Sequence, residues 1–125
     1  MRKIPVVIPY YKNKKQLDRC VQHLSKQTVP VDVFIRDNSE DNIHFTAAIN
    51  EGLRHFLKTD CEAILILNQD FYLQEAALEA MLQVLADQPQ CGIVAPLQVH
   101  QYNEKHVICA GSFAAFPFGK HEGGP

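Results

Sequence analysis

Hydrophobic positions change their period along this chain, and the changes predict alternating strands and helices. Residues 4–10 (I-P-V-V-I-P-Y) form a short β-branched run without alternation, as in a strand covered on both faces. A helix follows. Asn13 is placed to cap it, Gln16 holds the capping-box position three residues later, and Leu17, Cys20, Val21 and Leu24 recur at i, i+3, i+4 and i+7. Lys14, Lys15, Arg19, Gln22 and Lys26 take the opposite, solvent side. The helix ends before Pro30, and residues 31–36 (V-D-V-F-I-R) read as a second strand delivering Asp37, Asn38 and Ser39 at its C-terminal end.

A polar stretch, Glu40, Asp41 and Asn42, leads to a second helical stripe of Phe45, Ala48, Ile49, Gly52, Leu53 and Phe56. Residues 63–67 (A-I-L-I-L) are the most apolar run and so the expected central strand, stopping abruptly at Asn68, Gln69 and Asp70. A third helix is expected over residues 74–87, with Glu75 and Glu79 toward its positive end and Leu78, Met81, Leu82 and Leu85 facing in. Pro89 ends it, and residues 92–96 (G-I-V-A-P) read as a fourth strand. Beyond Pro96 the regularity fades. Residues 97–125 read as a glycine-rich tail or flap with Phe113, Phe116 and Phe118 as apolar anchors.

Strands alternating with helices are βαβ units, which connect right-handedly into a parallel-rich sheet with helices on both faces. The fold class is α/β, and 125 residues suffice for one domain, with residues 1–96 as its regular core. Ligands in such sheets bind at the C-terminal strand ends. Three polar interruptions sit there: residues 9–12, 37–39 and 68–70.

Composition narrows the function classes. Apolar residues at 46% and charged residues at 21% exclude intrinsic disorder, and a net charge of -2 offers no surplus for a nucleic-acid partner. No apolar run approaches the ~18 residues of a membrane span, and the stretch after Met1, Arg2 and Lys3 is too short for a secretory signal, so the default address is the cytosol. Cys20, Cys61, Cys91 and Cys109 form no C-x-x-C pair and have apolar neighbours, as expected of buried reduced thiols. The six histidines show no metal-ligand spacing.

The first strand runs into I-P-Y-Y-K without glycine, which removes the dinucleotide fingerprint and the phosphate-binding P-loop. A receiver domain would need an acidic pair after that strand, and none is present. Two carboxylates remain, Asp37 and Asp70, at the ends of different strands. Asn68 and Asp70 are two apart, which in extended backbone points both side chains the same way. One charged and one neutral oxygen ligand suit Mg2+ or Mn2+ in a site completed by water and phosphates, although N-x-D in isolation is more often a polar turn. Asp37, with Asn38 and Ser39, either bonds a base edge or ribose hydroxyl or forms an Asx-turn.

The ordered series V-V-I-P-Y-Y-K-N, L-S-K-Q-T-V-P, V-F-I-R-D-N-S-E-D, A-I-N-E-G-L, I-L-I-L-N-Q-D, A-L-E-A-M-L and G-I-V-A-P resembles family 2 glycosyltransferases of the A-type, nucleotide-diphospho-sugar transferase fold. The resemblance covers residues 4 to about 96 and continues loosely through Ala110, Gly111, Ser112 and Phe113. It implies a nucleotide-sugar donor (UDP-, GDP- or dTDP-linked) across the strand ends. Pro9 and Tyr11 would border the base, and Asp37 and Asn38 would meet the nucleoside. Asn50 and Gly52 would lie near the nucleotide, and Asn68 and Asp70 would take the place of the metal-binding D-x-D motif, its first acid replaced by Asn. Without the resemblance, Tyr11 reads as a rim aromatic and Gly52 as a helix-packing glycine.

Inversion at a sugar carbon also needs a general base, which in this family lies downstream in the acceptor-binding half. Only Glu75, Glu79, Asp87, Glu104 and Glu122 follow Asp70, and none is a convincing base. The catalytic residue is therefore unassigned. The chain is expected to be the donor-binding half of a longer transferase, or a relative lacking its acceptor half, with an incomplete A-type fold. The expected setting is bacterial surface-polysaccharide synthesis, including rhamnose-containing chains. There the chain would use a saccharide or lipid-linked acceptor at the inner face of the membrane, with self-association through an exposed sheet edge. The alternatives are a non-catalytic binding or assembly module of the same fold and, third, an unrelated phosphohydrolase using Asp37 and Asp70.

Overall fold

A central parallel strand with a neighbour on each side organises the N-terminal part of the computed structural model, which describes residues 2–115 and 118–122. The elements of this part are β1 (Ile4–Tyr10), α1 (Lys14–Ser25), β2 (Val31–Asp37), α2 (His44–Phe56), β3 (Leu65–Ile66) and α3 (Ala77–Asp87). The sheet order is β2-β1-β3, all parallel. The chain forms two compact units, residues 1–82 and 83–125, dividing within α3. From the sequence, the change of character had been placed at residue 96. The molecule is α/β, and among the described residues no helix is long and apolar enough to cross a membrane.

From β1 the chain steps to β2 on one side, then crosses back to β3 on the other. Right-handed crossovers in opposite directions put α1 and α2 on opposite faces. Val7 of β1 packs in a core with Ile49 and Phe56 of α2, bordered by Phe34, Leu53 and Ile64. The two-residue period turns Val6 and Ile8 the other way, and both are fully buried, as is Cys20 of α1. The helix predicted from Asn13 starts there: the Asn13 side chain accepts from the Gln16 backbone N–H at 3.3 Å.

Several expectations are corrected. The run at residues 63–67 is an edge strand with a two-residue ladder, and β1 is central instead. The reason lies in β1. Val7 accepts from Leu67 N at 3.0 Å, so odd-numbered residues of β1 direct their backbone groups toward β3; Tyr10 O accepts from Asn38 N on the β2 side. Pro5 and Pro9 share the parity of Val7 and have no N–H to give, which confines pairing with β3 to their interval. The same parity leaves the β2 ladder intact from Ile4 to Tyr10.

Residues 92–96 form no strand, since a strand needs a ladder partner and none pairs with them among the described residues; Ile93 is exposed. The tail, read as irregular, contains β4 (Gln98–His100) antiparallel to β5 (Asn103–Cys109), and β6 (Gly111–Ala115) antiparallel to β7 (Phe118–Glu122). Its strands are too short, or too polar in their alternation, to stand out as apolar runs. Phe116 of the proposed flap lies outside the described residues.

The third helix starts at Ala77 rather than residue 74 because its expected first turn is captured from outside. Gln27 Nε2 donates to Leu73 O and Gln74 O, and Thr28 N donates to Glu75 O.

All four cysteines are free, but only Cys20 is buried; the other three are half-buried. Burial pushes the Cys20 thiol up to about 11, with the Asp70 charge adding to the effect. At pH 7.5 iodoacetamide is expected to label Cys20 at least ~100-fold more slowly in the folded chain than in urea, since the thiolate is the nucleophile. Peptide mapping by mass spectrometry would measure this, and equal rates would show that α1 does not cover the sheet as described.

Candidate functional site

The C-terminal ends of the three strands share one rim, because Tyr10 is in register with Asp37 and β3 ends beside Val7. The switch in strand order, between β1 and β3, is where such sheets open a crevice. A cleft of about 420 Å3 lies there, with Pro9 and Tyr11 from β1 and its exit, Asn38 from the β2 exit, and Asn68, Gln69 and Asp70 from the β3 exit in its wall.

Asn38, expected at the nucleoside, is part of this wall. It is only 5% exposed, and its Nδ2 donates to His44 O at 3.4 Å, but its Oδ1 is buried without a hydrogen-bond partner among the described residues. A buried acceptor left unmade costs about 1–3 kcal/mol. Asn38 belongs to the cleft wall, so this unmatched acceptor is carried by a residue that lines the cleft.

Asp37 adopts the Asx-turn alternative. Its Oδ1 accepts from Ser39 N at 2.8 Å, and hydrogen bonds from the Ser39 backbone and hydroxyl hold its carboxyl below the usual aspartate range. The side chain lies outside the cleft wall. Arg36 fixes the same loop from beneath: Nε meets Glu51 Oε2 of α2 at 2.9 Å, Nη2 meets Asp41 Oδ2 at 3.2 Å, and Nη1 donates to Asp37 O.

Asn50 is exposed on α2 outside the wall, and Gly52 packs directly on β1, where an added Cβ would lie 2.4 Å from a Val7 methyl. Geometry thus gives Gly52 its packing role. Asn68 and Asp70 are exposed at the cleft and the intervening Gln69 is half-buried, but residues 68–71 form a turn, closed by Phe71 N donating to Asn68 O at 3.2 Å, and not the extended backbone expected from the two-residue spacing.

Among the described residues no three histidine, cysteine or acidic side chains converge as a metal cluster. The cleft instead offers the Asp70 carboxylate and the Asn68 amide oxygen, hard donors that fit a Mg2+ or Mn2+ ion taking its other ligands from phosphates and water.

Asn42, His44, Phe45 and Gln16 also line the cleft and were not anticipated as site residues. Phe45 carried only a core signal, yet it is 52% exposed at the cleft. Gln16 had been read as half of a capping box, but its Oε1 accepts from Gln69 Nε2 at 3.1 Å. The turn at His44, with φ 68°, has no periodic signature.

The chain matches no protein-family model and no curated protein sequence.

Proposed function

We propose that the N-terminal unit binds a nucleotide-sugar donor as part of a family 2 glycosyltransferase of the A-type fold, acting in surface-polysaccharide synthesis on a saccharide or lipid-linked acceptor. The observation carrying this reading is the meeting, at one cleft, of three strand-end segments that include the buried, unpartnered Asn38 Oδ1. Tyr11 and Phe45 are both about half exposed there, and flat apolar surface in the same wall as an unmatched acceptor suits a base ring bearing an N–H.

In this reading Asn38 accepts from the nucleoside, with Pro9 and Tyr11 bordering it. Asp37 acts behind Asn38 through its turn. Asn68 and Asp70 hold the divalent ion, which when bound would stabilise charge developing on the diphosphate as the sugar departs. The outer edges of β2 and β3 carry no further strand among the described residues, which gives self-association a route.

A second reading, a binding module without turnover, is favoured by one fact. Asp70 is the only carboxylate in the cleft wall among the described residues, so no separate group stands ready to deprotonate an acceptor. Transfer assays on the isolated chain distinguish the two.

Calorimetric titration with UDP, GDP and dTDP, with and without Mn2+, tests donor binding. Mn2+ is expected to tighten binding of at least one of them, and Asp70→Ala to remove that gain, about 10-fold or more. Asp70 is exposed and no hydrogen bond or ion pair of its side chain is present among the described residues, so the variant should fold. An unchanged gain in the variant would refute the metal assignment, and no binding of any nucleotide would overturn the donor reading.

A further inference from the structure

The side chain between the two expected metal ligands makes the densest set of polar contacts at the cleft. Gln69 Oε1 accepts from Tyr11 N at 2.7 Å, and its Nε2 lies 3.1 Å from Tyr11 O, 3.0 Å from Lys12 O and 3.1 Å from Gln16 Oε1. Two amide hydrogens are shared among three acceptors, and the reverse placement of oxygen and nitrogen would match none of the backbone partners.

The pattern continues the sheet by other means. Tyr11 has the parity of Val7 and Pro9, so its backbone N–H and C=O face the β3 side, where the Pro9 nitrogen offers no hydrogen. The Gln69 carboxamide engages both groups of Tyr11 as a neighbouring peptide unit would. The loop it holds is not self-sustaining: Lys12 (φ 46°) and Asn13 (φ 60°) are successive non-glycine residues in the left-handed region. Ser39 Oγ, accepting from Lys12 N at 2.9 Å, is the second support.

We infer that Gln69 is the positioning residue of the cleft, its carboxamide fixing the backbone of Tyr11 and Lys12 so that Tyr11 forms the wall. The consequence for ligand affinity rests on the nucleotide reading; the positioning itself does not. At neutral pH no other side chain of similar reach both accepts from and donates to one peptide unit. Glutamate keeps the shape but, ionised, aims a second oxygen at carbonyl oxygens.

Residue-resolved amide exchange on the full chain without ligand is the first test. Gln69→Ala is expected to speed exchange at Tyr11 by about 100-fold while amides in β1 change little. Gln69→Glu is expected to lose protection at neutral pH and regain it on acidification, as the protonated acid donates again; this pH profile separates positioning from general packing. It also keeps the test decisive if the alanine variant folds poorly. Unchanged Tyr11 exchange in Gln69→Ala, or a Glu variant insensitive to pH, would overturn the inference.

Titration with UDP, GDP and dTDP plus Mn2+ is the second arm. At least 10-fold weaker binding in Gln69→Ala is expected, with Asp70→Ala leaving Tyr11 exchange unchanged. Equal affinity in wild type and Gln69→Ala would overturn the link from loop to ligand. If the wild type binds none, the nucleotide reading fails while exchange still decides the role of Gln69.

Discussion

Gly52→Val is expected to destabilise the N-terminal unit by about 3 kcal/mol, at the upper end of what overpacking a core costs. Even the first added carbon has no room, lying 2.4 and 2.6 Å from the two Val7 methyls and 3.1 Å from its Cβ. On an exposed helix face, glycine to alanine would gain about 1 kcal/mol from helix propensity. Here the overlap opposes that gain, so Gly52→Ala should be mildly destabilising and Gly52→Val severely so. Val7 is fully buried in a β-strand and cannot swing aside as a flexible side-chain end would. Urea unfolding followed by circular dichroism measures the loss. Trimming Val7 to alanine in the Gly52→Ala background should recover part of it, giving a coupling energy of about 1 kcal/mol in a double-mutant cycle. Additive losses would show that the two residues do not touch.

Asn38→Asp is expected to cost about 3 kcal/mol at neutral pH, the penalty for an uncompensated charge in a buried site. The shape and one acceptor oxygen survive, but the N–H donation to His44 O is lost and a carboxylate faces a carbonyl instead. Burial at 5% exposure would raise the new acid's folded pKa above the unfolded value of about 3.9. The folded state then binds the proton more tightly. Most of the stability should therefore be retained below about pH 4, lost as pH rises toward the folded pKa, and constantly reduced above it. A series of urea midpoints across pH checks this, and a pH-independent deficit would show that Asn38 is solvated.

Much of the N-terminal unit was legible because its residues obey one period at a time. The bounds of β1, the Asn13 cap and the stripe of α2 apart from its first member, Phe45, follow from patterns that tertiary contacts reinforce. The three polar strand ends were visible as breaks in apolar runs, and they do meet at one cleft through Pro9, Tyr11, Asn38, Asn68 and Asp70. The short reach of β3 was hidden because it depends on prolines in another strand. Gln69 was hidden because its partners, Tyr11 and Lys12, are distant in sequence and belong to the backbone, which every residue type shares. Asp37 drew attention as a charge, while its neutral neighbour Asn38 holds the buried acceptor left unmatched among the described residues. Hydropathy reports which residues leave water, but not which polar atom remains unmatched.

The prolines of β1 leave the sheet with one firm seam and one weak one. Fewest backbone hydrogen bonds must break to part β3 from its neighbour, and beyond that two-residue ladder the Gln69 carboxamide ties residues 68–70 across the same seam. A guest gripped on both sides of that seam would act as a clasp, and slower local opening of β3 would be its signature even where the average structure did not change.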